Sequence, residues 1–271
     1  MCLFVVFATT AQDNANPAFT NRQGVHILPE HGDFALGFDA LPVLNLFGGN
    51  GNFYQNTIFG KYFLDHDRAL RAKLSFGVSN NAYKQSVAND QALFENPLNI
   101  DATVIDVRNE ASHHVALSIG YEIRRGHGRV QGFFGGEVGL GLRGGNTKYS
   151  WANPMTELNQ SPTSTVWEFQ FVGNPSIRDV EAKLGNTFSV GLGGFLGAEY
   201  FIAPKLSIGA EISLAFWFNT TGQTETTKES WNQSTNRLET RHTRSHTLYN
   251  TAQHLSVSTI PGGSVYFMFH F

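Results

Sequence analysis

His242 and His246 stand four residues apart in the run Arg241-His242-Thr243-Arg244-Ser245-His246, with His254 following, so the two imidazoles share one face of either a strand or a helix. A metal centre needs a third convergent ligand and outer partners that orient the first ones. The sequence supplies neither, and these histidines are expected in a solvated loop with no metal. Ser112, His113 and His114 carry the residue types of a hydrolase. A nucleophile needs its histidine within hydrogen-bond reach, whereas neighbours along a strand point to opposite faces, so Ser112 is a poor partner for His113. Glu137 and Glu211 have the composition of an acid–base carboxylate pair, but the interior they share offers a substrate no obvious route. No catalytic residue and no cofactor is therefore expected.

The remaining charges are better explained by position than by reactivity. Lys61, Arg71, Lys73, Glu122, Glu137, Glu199 and Glu211 all fall on the polar phase of a period-two alternation, which is the signature of a strand with one apolar face. From His113 the odd positions read Val115, Leu117, Ile119, Tyr121 and Ile123, against His114, Ala116, Ser118, Gly120, Glu122 and Arg124. The same pattern runs from Val130 to Leu142, from Phe188 to Ile202, and from Leu206 to Phe218. It recurs from Leu70 to Val78, more weakly from Ile58 to Leu64, from Phe34 to Ala40 up to Pro42, and from Val265 to Phe271. The expected fold class is all-β, an eight-stranded antiparallel up-and-down transmembrane β-barrel with three long extracellular loops.

The connections alternate strictly in length. Asp65 to Asp67, Gly126 to Gly128, and Ala203-Pro204 are tight and rich in turn formers. Between them lie a modest link at Gly48-Gly49-Asn50-Gly51-Asn52 and three long polar segments, Ser79 to Ser112, Arg143 to Thr187 and Asn219 to Gly263. Short periplasmic turns and long external loops are the layout of bacterial outer-membrane barrels. Alternation also persists beyond the membrane-sized strands, at Thr103, Ile105 and Val107 and at Leu255 and Val257, so the long loops are expected to be extended strands that rise above the bilayer. With the apolar face toward lipid, outer-membrane lipid being the first partner, the charged face lines the lumen. An eight-stranded bore is just wide enough for side chains to fill it. Basic residues come from the second and third strands and acidic ones from the fourth to seventh, which predicts ion pairs across a polar plug. Gly135, Gly139, Gly191, Gly193 and Gly197 on the same face leave room for Phe133, Phe195 and Phe201.

Composition fits this reading. The chain holds 28 Gly and 23 Phe with only 15% charged residues. No run of 18 apolar residues occurs, which removes helical spans but not barrel strands. A net charge of −3, with no basic patch interleaved with aromatics, gives nucleic-acid binding no support. The one cysteine, Cys2, excludes an internal disulfide. Residues 1–11 look like the tail of a secretory signal peptide, residues 12–32 are expected to be an N-terminal periplasmic segment, and residues 33–271 the barrel.

The stretch Phe59 to Gly77, FGKYFLDHDRALRAKLSFG, resembles the first periplasmic hairpin of small outer-membrane barrels of Bacteroidota-type bacteria, which belong with the OmpA/OmpX-like barrels. The C-terminal Phe267, Phe269 and Phe271 resemble the aromatic signal read by the outer-membrane insertion machinery, with Tyr266 standing where a glycine is often found. The resemblance implies the bacterial outer membrane as location and that machinery as a partner in biogenesis. Such barrels serve as scaffolds, adhesins, complex subunits and enzymes, so fold alone does not decide function. Trp151, Trp167, Phe169 and Trp231 lie in otherwise polar loops and form either a binding surface or the packing of a small external cap. Tyr62, Tyr121 and Tyr200 sit near the short turns, where an interfacial aromatic belt belongs. The expected role is non-enzymatic: a structural or accessory subunit of a larger membrane complex, or a loop-mediated binding protein. A narrow channel is the alternative, and a lipid-modifying enzyme a more distant one.

Overall fold

In the computed structural model, which describes residue 20 and residues 24–40, 56–126, 128–167, 176–245 and 258–271, the alternating segments become antiparallel strands. In chain order these are β1 (Phe34–Asp39), β2 (Asn56–Asp65), β3 (Arg68–Ala88), helix α1 (Asp90–Glu95), β4 (Thr103–Arg125), β5 (Val130–Ser150), β6 (Ile177–Ala203), β7 (Leu206–Thr221), β8 (Thr224–Asn232), β9 (Arg237–Ser245) and β10 (Ser258–His270). Strands β1 to β7 pair successively, β10 pairs with both β7 and β1, and the eight close into a ring. The seam is set by Leu36 opposite Phe269 and Phe267 opposite Ile208, so the outward phases of β1, β10 and β7 coincide. Where the eight strands pair on both sides, the backbone donors and acceptors of the wall are satisfied by neighbouring strands.

Three tight turns gather at one end, between β2 and β3, β4 and β5, and β6 and β7. Lys205 (φ 63°) and Gly128 (φ 76°) supply the left-handed residues that two of them need. The outward phase is apolar throughout: Ile119 on β4, Leu192 on β6 and Ile212 on β7 are 56%, 58% and 60% exposed. At ~3.3 Å per residue and a tilt of about 40°, the apolar phase of β7 from Leu206 to Phe218 rises roughly 30 Å, enough to cross a hydrocarbon layer. Such a continuous apolar girdle has no place in water, and the fold is that of a transmembrane β-barrel. Tyr121 and Tyr200 are exposed on its outer wall near the turn end.

At the opposite end β3, β4, β5 and β6 do not stop at the rim. They continue as a sheet whose register runs unbroken from Val78↔His113 to Ala88↔Thr103 between β3 and β4. A β-bulge between Arg143 and Gly145 shifts β6 against β5 at the rim, and there β6 exchanges partners. Below it pairs with β7; above it pairs with β8, with Lys183 opposite Glu225 and Arg178 opposite Glu229. Strand β9 then pairs with β8 through a turn containing Asn236 at φ 50°. Three long loops are thus replaced in large part by strand. The hairpin β8–β9, within the segment Asn219 to Gly263, corrects the expectation that this segment merely extends the two barrel strands. Its composition explains it, because Thr226, Thr227, Thr240 and Thr243 favour strand while carrying no apolar alternation. Residues 1–11, the glycine-rich link 48–52, Phe169, His246, His254, Leu255 and Val257 lie outside the described residues.

Candidate functional site

The barrel core is built from inward residues of β2 to β7 and β10. Near the turn end Arg124 Nη1 lies 2.8 Å from Glu122 Oε1 and 2.8 Å from Glu199 Oε2. Lys61 Nζ bridges the same two carboxylates at 3.0 and 3.3 Å. The Ser207 hydroxyl donates to Glu199 Oε1, and His270 Nε2 stands 3.3 Å from that oxygen. One layer further in, Arg71 Nη1 meets Glu211 Oε2 at 2.7 Å, and Lys73 Nζ meets Glu137 at 2.7 Å and Glu211 at 3.4 Å. Lys61, Arg71, Lys73, Glu122, Glu137, Glu199 and Glu211 are each ion-paired in this interior.

Two physical features make this core tolerable. Lys61, Arg71, Lys73 and Arg124 balance Glu122, Glu137, Glu199 and Glu211, and each of those carboxylates faces at least two cations. The cations also lie against aromatic faces: Arg71 is 3.8 Å from the Phe195 centroid, Lys61 4.6 Å from Phe133 and Arg124 5.2 Å from Phe63. Glycine makes room for these rings. A Cβ on Gly197 would stand 2.4 Å from the Phe133 ring, and one on Gly209 2.3 Å from that of Tyr266. Phe63, Phe201, Tyr266, Met268, Glu122 and Glu199 have no more than a trace of solvent contact, so the turn-end half of the lumen is filled.

The other half is lined differently. Inward positions above Lys73 and Glu211 are small, among them Ser75, Ala116, Ser118, Ser189 and Ser213, and they retain partial exposure inside a closed wall. Trp217 lies flat there against Gly191 and Gly139, whose added Cβ atoms would meet its ring at 2.6 and 2.7 Å. The plug expected from the sequence thus fills the turn-end half and leaves the loop-end half open to solvent.

Arg124 corrects the expected segregation of charge, because a basic residue stands on β4 beside Glu122. Arg124, Tyr266 and His270 fall on the polar phase of the alternation but were not counted in the expected lumen network, and Ser207 was not singled out. Their phase was the available signal, since all four alternate with outward Ile123, Ile208, Phe267 and Phe269. Of the C-terminal aromatics, Phe269 and Phe271 are exposed, Phe269 stacked on Phe38, and Phe267 is half-buried with its ring tilted against Phe38.

A second polar cluster sits on the inner face of the loop-end sheet. Asp106 Oδ1 accepts from Ala152 N and from the Ser164 hydroxyl, both at 2.7 Å. Arg178 donates to the carbonyls of Asn153 and Ser164, and Thr163 and Asn159 donate to Asp90 in the first turn of α1. Trp151 stacks on Tyr149 with centroids 5.2 Å apart, and Trp167 is buried against Arg108. Burial holds the Tyr149 phenol above its ordinary pKa, against the opposing pull of Arg108. Trp151 and Trp167 are therefore cap packing rather than an exposed binding face, because flat rings here close the cap over its own polar groups; Trp231, on β8, is half-buried.

Among the described residues the histidines do not converge on one site. His242 on β9 hydrogen-bonds Thr227 at 3.0 Å. His113 points outward, away from Ser112, and His114 points inward against Gly77, on the face Ser112 shares but with its buried Nε2 making no hydrogen bond. At the turn end Asp65, His66 and Asp67 bring ligand-type atoms within 4.8 Å of one another. Asp65 already accepts from the His66 ring and amide, which holds its carboxyl below the ordinary value.

Fold and core together define a closed eight-stranded transmembrane β-barrel with an ion-paired interior. No family model and no curated protein matches the chain. Among solved structures it is similar to a major outer membrane protein from Thermus thermophilus, at 11% identity and a TM-score of 0.45, covering 89% of this chain and 100% of that one. The barrel assignment rests on the strand pairing and not on that similarity.

Proposed function

We propose that the chain is a non-enzymatic barrel of the bacterial outer membrane, with the tight turns in the periplasm and the loop-end sheet outside the cell. Its role in this reading is to hold that sheet rigidly for a partner, as an accessory subunit of a membrane complex or as a binding protein. The observation that carries the proposal is the continuity of β3 to β6 through the wall and beyond it. That continuity fixes the external sheet to a charged core in which pairs such as Arg71–Glu211 are desolvated. A rigid base lowers the ordering cost of association.

The test is crosslinking and copurification from native membranes, using the full chain and a chain in which residues 224–245 are replaced by a short turn. A partner recovered with the first and lost with the second is the expected result. Identical recovery, or no partner with either, would overturn the scaffold role. Planar-bilayer recordings of the pure barrel are expected to show no ion steps, because Arg124, Glu199 and Phe201 fill the turn-end half of the lumen. Reproducible unitary currents would count against a closed interior.

A further inference from the structure

Where β6 exchanges β7 for β8, the wall opens into a cavity of about 350 Å³ lined by His113, Asn146, Lys183, Asn186 and Glu225 together with the backbone of Gly145 and Gly185. The exchange itself makes the opening. Gly185 approaches the Gly222 carbonyl so closely that an added Cβ would stand 1.9 Å from its oxygen, and the bulge between Arg143 and Gly145, whose extra residue lies on β6 between Leu184 and Thr187, breaks the ladder beside it.

Register places this cavity on the outer face. Ala111, Asn146, Lys183 and Glu225 form one cross-strand row, and Ala111 shares the outward phase of His113, Val115 and Leu117. His113 lies opposite Gly144 in the next outward row down, with Asn186 beside it. Immediately below, Leu142 and Phe188 open the apolar girdle. The cavity therefore stands at the level where hydrocarbon gives way to headgroups on the loop side.

Its chemistry is that of an anion site. The Lys183 ammonium is exposed and forms no ion pair among the described residues. The carboxylate in the row, Glu225, is engaged by Arg244 at 2.8 Å, which leaves positive charge in excess. The His113 ring and the amides of Asn146 and Asn186 add further N–H donors. A phosphate can accept from an ammonium and several N–H groups at once, and a lipid whose phosphate sat here would lay its acyl chains along Leu142 and Phe188.

We propose that this cavity binds the phosphate headgroup of a lipid in the loop-side leaflet, with Lys183 as the principal contact. The proposal rests on the membrane reading above. The test places the barrel, its Lys183→Glu variant and an exposed control, Lys84→Glu, in phosphatidylcholine nanodiscs containing phosphatidylglycerol, and counts retained phosphatidylglycerol by native mass spectrometry. A retained lipid is expected with the parent and Lys84→Glu, reduced about tenfold in Lys183→Glu. Both substituted lysines are exposed, so the variants fold, and heat-shifted gel mobility verifies it. Equal retention in all three folded proteins would overturn the site. Displacement of the lipid by millimolar inorganic phosphate would assign the cavity to free phosphate instead and overturn the lipid assignment. Failure of the parent to enter nanodiscs would defeat the membrane reading itself, which a failure confined to Lys183 would leave intact.

Discussion

Glu199→Gln tests the core most sharply, because it removes one charge while nearly conserving volume. Glu199 is fully buried and holds Arg124 at 2.8 Å, Lys61 at 3.3 Å, Ser207 and His270. The amide leaves Lys61 and Arg124 with Glu122 alone between them, and it aims its own N–H groups at one of those cations. Breaking a buried pair from one side costs ~3–5 kcal/mol. With a urea slope of ~2 kcal/mol per molar, the midpoint falls by about 1.5–2.5 M. The control is Glu181→Gln, which faces Lys148 at 3.6 Å in a pair 23% and 60% exposed and is expected to cost ~0–1 kcal/mol. Urea unfolding of barrels folded in phosphatidylcholine vesicles, followed by tryptophan fluorescence, measures both. A Glu199→Gln midpoint indistinguishable from that of Glu181→Gln would refute the reasoning, since it would mean that water already solvates the turn-end lumen.

Other perturbations separate wall, cap and core. Ile119→Arg, midway along the outward phase of β4, is expected to destabilise the folded barrel by ~2–4 kcal/mol in vesicles, and an unchanged midpoint would contradict a lipid-facing wall. Asp106→Asn weakens the bonds to Ala152 and Ser164, so limited proteolysis within residues 151–167 should accelerate roughly tenfold while the barrel midpoint holds; equal cleavage would show that the cap is not tied by this carboxylate. Gly191→Val forces Trp217 off its wall and should shift tryptophan emission to the red, whereas an unaltered spectrum would place the ring elsewhere. Lys73→Ala should destabilise the barrel more than Lys84→Ala, because Lys73 pairs with Glu137 and Glu211 inside the lumen.

The strands of the ring were legible because one face of each must meet hydrocarbon, and that demand writes a period of two into the residues. The lumen charges followed from phase alone: Lys61, Arg71 and Glu211 point where alternation puts them. Arg124 and His270 share that phase, yet Arg124 stands one residue from the end of β4 and His270 is the last residue of β10, where a polar side chain has water within reach, so nothing in the chain itself required their burial. Sequence likewise cannot tell an exposed tryptophan from a packed one. Trp167 is buried only because Arg108 and Tyr149, distant in sequence, come up on neighbouring strands beneath it. The partner exchange of β6 was invisible for a related reason: the bulge at Arg143 and Gly145 is a property of three strands together, and no one of them records it. The anion cavity at that exchange inherits the same opacity.

Spin labels at positions 118 and 119, one residue apart on β4, address the orientation of the wall most directly. In proteoliposomes, with Cys2 replaced by serine, collision with oxygen and with an aqueous nickel complex reports hydrocarbon and water separately. The Ile119 position is expected to favour oxygen strongly and the Ser118 position not. Nickel reaching Ile119 as readily as oxygen does would contradict a barrel whose apolar face meets lipid and whose charges meet one another inside.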